Sequence, residues 1–151
     1  MKTSCRLHIK LGVTARQRDD VLQELVEAIP EIAGNIEAKS KLLRALHERE
    51  RLHSTGISDG VALPHARNGL VGLVDQPIVL FGRHDEGVPF GAIDGQPSKL
   101  FFLLVASTVT EHLALLARLS RYLRDTKLRE KLLAAERPDQ VRALLEPVLG
   151  T

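Results

Sequence analysis

Six histidines are spread along this chain of 151 residues, and two of them stand where an imidazole could do chemistry. His65 follows Pro64 in the segment STGISDGVALPHA, residues 54–66. Pro64 fixes its own φ and so stiffens the backbone that aims His65. An imidazole with an ordinary pKa of about 6.5 is largely neutral at neutral pH, and the neutral ring is a good nucleophile. From the residue alone, His65 is a phosphoryl acceptor, a metal ligand, a general base or a structural hydrogen-bond donor. His112 is the second candidate. With Thr110 as N-cap it falls in the first turn of a helix, where free backbone N–H groups and the helix dipole favour anions. The same field pulls the pKa of an imidazole down. Arg49, sixteen residues before His65, lies near the end of a charged helical stretch and can supply a fixed positive charge. Phosphoryl transfer needs little beyond such groups, because it depends on positioning and charge stabilisation.

A hydroxyl competes with the imidazole. Gly56-Ile57-Ser58-Asp59-Gly60 spells the G-x-S-x-G pattern of serine hydrolases. A nucleophile elbow requires a strand before it and a helix after it. Here a helix precedes and a strand follows, so the serine-hydrolase reading is set aside. The simpler reading is a loop whose glycines supply positive φ while Ser58 or Asp59 bonds the local backbone.

The remaining histidines are weaker candidates. His8 lies in an alternating strand, His47 on a charged helix face, His53 beside the loop and His84 in the polar segment RHDEG. A metal site would have to draw on His53, His65, His84 and Asp85. They lack a compact ligand spacing such as H-E-x-x-H, so neither a metal nor any other cofactor is expected. No G-x-x-x-x-G-K-[ST] nucleotide loop is present. The single cysteine, Cys5, excludes an intramolecular disulfide and a thiolate zinc cage and fits a reducing compartment.

The elements that must position these residues follow from hydrophobic periodicity. Arg6–Leu11 alternates like a half-buried strand. Thr14 is placed to cap a helix over Ala15–Ile29, which Pro30 and Gly34 would end. A second helix fits Ile36–Arg51. Val61-Ala62-Leu63 is a short apolar strand, followed by strand-length runs at Pro77–Arg83 and Leu100–Ala106. The last is apolar throughout, as a central strand covered on both faces should be. Helices are expected over Glu111–Arg124, Lys127–Ala135 and Asp139–Leu145, the second capped by Asp125 or Thr126 and the third opened by Pro138. The order β-α-α-β-β-β-α-α-α implies a single α/β domain over residues 1–151, a small mixed β-sheet covered by helices. If the Val61–Leu63 strand lies beside Leu100–Ala106, their C-terminal ends deliver His65 and His112 to one edge.

Composition excludes other classes. A net charge of +2 is too small to suggest nucleic acid, and four Phe, one Tyr and no Trp leave no stacking platform for single strands. The first residues lack the apolar core of a signal peptide, and no apolar run approaches the ~18 residues of a membrane span. A cytoplasmic chain without membrane insertion is expected.

Three segments together resemble a known family: RERLHSTGISDGVALPHAR (Arg49–Arg67), GVPFGAIDGQPSKLFFLLVAS (Gly87–Ser107) and EHLALLARLSRYLRD (Glu111–Asp125). They are similar to enzyme IIA domains of the bacterial phosphoenolpyruvate-dependent phosphotransferase system, of the fructose/mannitol/nitrogen-related type. The resemblance runs from about Thr14 to Leu145 and is strongest over residues 49–125. It implies that family's α/β fold. It also implies that His65, after A-x-P, accepts a phosphoryl group from the phosphohistidine of HPr or a nitrogen-related HPr, on Nε2. His112 in E-H-L and Arg49 before the S-T-G loop match the family's other active-site positions, and Ser54 and Thr55 are expected to support them through hydrogen bonds. The phosphoryl group would pass to a IIB component or report to a regulated protein. FGAIDGQP (Phe90–Pro97) favours the nitrogen-regulatory branch, whereas the N-terminal segment is short compared with many of its members. Leu52, Leu70 and Phe90 are the residues expected on the docking surface. A binding-only module that turns over no phosphate is the alternative.

Overall fold

The computed structural model describes residues 5–66 and 72–150. Along the chain run β1 (Arg6–Lys10), α1 (Arg18–Glu27), α2 (Pro30–Ala33), α3 (Ile36–Leu52), β2 (Val61–Ala62), β3 (Ile78–Val88), β4 (Ser98–Val105), α4 (Val109–Tyr122), α5 (Thr126–Ala134) and α6 (Pro138–Leu149). The four strands form one mixed sheet in the order β1-β3-β4-β2. β1 runs parallel to β3, β3 antiparallel to β4, and β4 parallel to β2.

Period-two alternation in the strands builds two cores, one on each face of the sheet. Val79, Phe81, Leu100, Phe102 and Leu104 face one side, against Leu115, Leu119, Leu132 and Leu145 of α4–α6. Ile78, Leu80, Phe101, Leu103 and Val105 face the other, against Leu22, Leu25, Leu42 and Leu46 of α1 and α3. The run LFFLLV is therefore apolar at every position because both of its faces are covered. Gly82 lets β3 approach α1: a Cβ there would stand 2.6 Å from Leu25 Cδ2.

Several boundaries differ from the sequence reading. Thr14 caps nothing; its backbone N–H donates to the Glu24 carboxylate at 3.0 Å, and α1 starts later, after Gln17. Pro30 does not end a helix but opens α2, where its missing N–H costs nothing. β3 continues past Arg83 through polar residues, because a register shift before Val88 bends that end away from strict pairing with β4. Thr108, not Thr110, is the N-cap of α4, accepting from the Glu111 N–H at 3.1 Å. α6 extends four residues beyond Leu145, through Pro147, and stops where Gly150 takes φ 74°.

Candidate functional site

The site is built where edge strand β2 meets β4. Val61 pairs with Leu100 and Ala62 with Phe101 in parallel register. The pairing continues through the proline: the Leu104 N–H donates to the Pro64 carbonyl at 3.0 Å, and His65 bridges to Leu104. β4 then leads into α4, which carries His112. The rings of His65 and His112 thus come together with centroids 5.3 Å apart and planes tilted by 48°.

The loop before β2 turns out to be a hairpin. The Ile57 N–H donates to the Val61 carbonyl at 2.7 Å and the Leu63 N–H to the Thr55 carbonyl at 3.0 Å. Its tip is Ser58-Asp59-Gly60, with Asp59 at φ 65° and Gly60 at φ 77°, so the G-x-S-x-G letters encode a reversal of the chain and not a nucleophile elbow. Ser58 is exposed at this tip. The expected side-chain bond from Ser58 or Asp59 to the local backbone is absent among the described residues. Asp59 instead offers its N–H to the Asp94 carboxylate at 2.9 Å and pairs with Arg129.

His65 is half-buried, with Nδ1 2.7 Å from the Leu63 carbonyl oxygen. A carbonyl can only accept, so Nδ1 carries the proton and the lone pair lies on Nε2. Burial pulls the His65 pKa below its ordinary value; the bond to Leu63 pushes it up and the Arg49 charge pushes it further down. His112 is buried, and its Nδ1 has no hydrogen-bond partner. Its pKa is also lowered, by burial first and by His65 second. The expected free N–H at this residue is corrected: His112 is the fourth residue of α4, and its N–H donates to the Thr108 carbonyl at 3.0 Å.

Arg49 lies in the last turn of α3, and its guanidinium donates to the carbonyl of His53. Ser54 Oγ donates to the Phe90 carbonyl and accepts from the Gly56 N–H at 2.9 Å, which ties the hairpin to the loop after β3. Thr55 is buried and gives both of its donors to Glu50, the N–H at 3.0 Å. Glu50, unmarked in the sequence reading, is therefore part of the site's scaffold. Phe90 is 1% exposed and packs against Phe101, with ring centroids 5.2 Å apart and planes tilted by 56°, so it is a core residue and not a docking one. Leu52 is exposed as expected; Leu70 lies outside the described residues.

Three of the other histidines are occupied elsewhere, and His53, the exposed C-cap of α3, meets Arg49 only through its backbone. His8 pairs with Glu31 and His47 with Asp19. Buried His84 accepts the N–H groups of Glu86 and Gly87 on Nδ1. Among the described residues no three His, Cys, Asp or Glu side chains are grouped to hold a metal ion. Burial pushes the Cys5 thiol up to about 12, which keeps it from acting as a nucleophile. No described helix is long and apolar enough to cross a membrane. The arrangement offers a neutral nucleophilic nitrogen on His65, a second imidazole beside it, and a guanidinium whose charge is felt at His65.

Comparison with known proteins shows the family and the fold. Residues 6–147 match the family described as phosphoenolpyruvate-dependent sugar phosphotransferase system, EIIA 2. The chain is 39% identical over 119 residues to a fructose-specific EIIA component of Haloferax volcanii, covering 78% of this chain and 75% of that one. It is 35% identical over 136 residues to a nitrogen regulatory protein of Bradyrhizobium diazoefficiens, covering 89% and 86%. It spans 21% of the length of the Bacillus subtilis fructose-specific EIIABC component, at 35% identity over 135 residues. The crystal structure of IIA-Ntr from Neisseria meningitidis superposes with a TM-score of 0.80 at 30% identity, covering 92% of this chain and 95% of that one. The Escherichia coli mannitol IIA, solved in complex with phosphorylated IIB, gives 0.77 at 25% identity, covering 93% and 94%.

Proposed function

The chain belongs to the phosphoenolpyruvate-dependent sugar phosphotransferase system EIIA 2 family, and from that premise we propose that it accepts a phosphoryl group on Nε2 of His65. The donor is the phosphohistidine of HPr or of a nitrogen-related HPr. The Nε2 lone pair attacks phosphorus as the bond to the donor's imidazole breaks, and the donor nitrogen leaves with the electron pair. His65 keeps its Nδ1 proton, so the phosphorylated ring is cationic and the Leu63 carbonyl stabilises it. His112 and Arg49 bind the phosphoryl oxygens, supplying charge where it is transferred. Ser54 and Thr55 hold the hairpin that aims His65. The observation that carries this reading is the His65–His112 pair at 5.3 Å with Nδ1 of His65 committed to a carbonyl.

The segment Phe90–Pro97 and the likeness to nitrogen regulatory proteins support a regulator whose partner reads the phosphorylation state. The fructose-specific relatives support onward transfer to a IIB component. The test is to mix the protein with phosphoenolpyruvate, enzyme I and HPr and to record its intact mass before and after brief acid. One acid-labile phosphoryl group is expected, and none on His65→Ala. Undiminished labelling of that variant would remove His65 from the site. No labelling of the wild type, with nitrogen-related carriers also supplied, would favour the binding-only module.

A further inference from the structure

Glu50 is the only buried carboxylate among the described residues, 4% exposed in the last turn of α3. Its position is doubly unfavourable for an anion. The C-terminal end of a helix carries the negative pole of the dipole, and burial removes water from the charge. Burial accordingly raises its pKa, against the bonds to Thr55 and the charges of Arg18 and Arg49. A residue that breaks two local rules at once points to a constraint other than the stability of its own helix.

The hydrogen bonds show what that constraint is. Both carboxylate oxygens are taken by Thr55, one by its N–H at 3.0 Å and one by its hydroxyl. The Thr55 carbonyl accepts the Leu63 N–H at 3.0 Å, and the Leu63 carbonyl accepts Nδ1–H of His65 at 2.7 Å. A continuous path of hydrogen bonds therefore runs from α3 through both arms of the hairpin to the imidazole. We infer that Glu50 is a positioning residue: by holding Thr55 it fixes the hairpin, keeps the Leu63 carbonyl on Nδ1 of His65, and so keeps the lone pair on Nε2. This rests on the phosphocarrier reading for its functional meaning but not for its physical content. Glu50 touches neither His65 nor the phosphoryl group.

The test uses the full chain with 15N-labelled histidine, observed by NMR above pH 7, where pyridine-type and pyrrole-type ring nitrogens are distinct. Wild-type His65 is expected as the Nδ1–H tautomer. Glu50→Ala should show a mixture of tautomers, and kcat for acceptance from phospho-HPr should fall about tenfold, the order of one positioning hydrogen bond, with KM changed less than about twofold. Glu50→Gln presents a carbonyl to the Thr55 N–H and an amide to its hydroxyl, and is expected to restore both tautomer and rate. A wild-type tautomer in folded Glu50→Ala overturns the inference, and so does Glu50→Gln behaving like Glu50→Ala, which would make the effect one of charge. If Glu50→Ala does not fold, Thr55→Val replaces it; that variant keeps the N–H bond and loses the hydroxyl, and an unshifted tautomer there also overturns the inference. If wild-type protein takes no phosphoryl group, the phosphocarrier reading fails while the tautomer comparison still decides the role of Glu50.

Discussion

His84 and His112 are both buried, yet they are satisfied in opposite ways. His84 sits where β3 leaves regular pairing, and its Nδ1 accepts two backbone N–H groups that the register shift leaves without ladder partners. His112 has an Nδ1 with no partner at all, beside a His65 whose Nε2 is left with its lone pair. Buried polar groups are normally paired, and an exception calls for a reason. One histidine closes a local hydrogen-bond account and builds backbone; the other pair leaves its hydrogen bonding open at the sheet edge. The difference teaches that burial alone does not set the state of an imidazole: backbone donors close one ring, and the other is left open beside a second titratable group.

The comparison breaks if the two sites respond alike to truncation. His112→Ala is expected to slow phosphoryl acceptance by about 100-fold, the cost of losing one stabilising donor, while His65 still reaches full label at long times. Stopped-time intact mass measures this. His84→Ala should act on the other axis. It orphans two N–H groups and should lower stability by about 1–3 kcal/mol, read from the denaturant midpoint, with the rate of phosphoryl acceptance within about twofold. A rate loss in His84→Ala as large as that in His112→Ala would erase the distinction.

The same contrast explains what could be read from the letters. The pairing of residues 61–63 with 100–106 was legible because apolar runs of strand length and a proline at the edge leave few alternatives, and it placed the two histidines together. α3 was legible to within a residue because its periodicity starts after Asn35, whose side chain accepts from the Ala38 N–H at 3.1 Å. The start of α4 was misread between two threonines, although Thr108-x-x-Glu111 carried the capping signal. Phe90 was expected on the docking surface, and only its tertiary packing against Phe101 shows it as core. Glu50 was illegible for a different reason. It reads as one more charge in HERER, and its partner Thr55 lies five residues on, beyond the end of the helix, where no helical spacing links them. The residue that holds the hairpin was hidden because its contact depends on how the chain leaves α3.

The smallest expected effect is on the pH dependence of stability, and it sharpens the comparison further. Burial lowers the pKa values of both His65 and His112. Between those lowered values and the ordinary value of about 6.5, the unfolded chain binds more protons than the folded one. Stability contributed by the pair is therefore fully present above about pH 6.5 and is lost as pH falls through the folded values. Glu50 runs the other way: its raised pKa contributes stability at low pH that is lost as pH rises. The informative quantity is thus the difference between variants and not the wild-type curve. Urea midpoints between pH 5 and pH 8 should fall towards acid less steeply in the double variant His65→Gln/His112→Gln than in the wild type. Parallel curves for the double variant and the wild type would mean that the pair titrates alike folded and unfolded, and its burial would then have no hold on the proton.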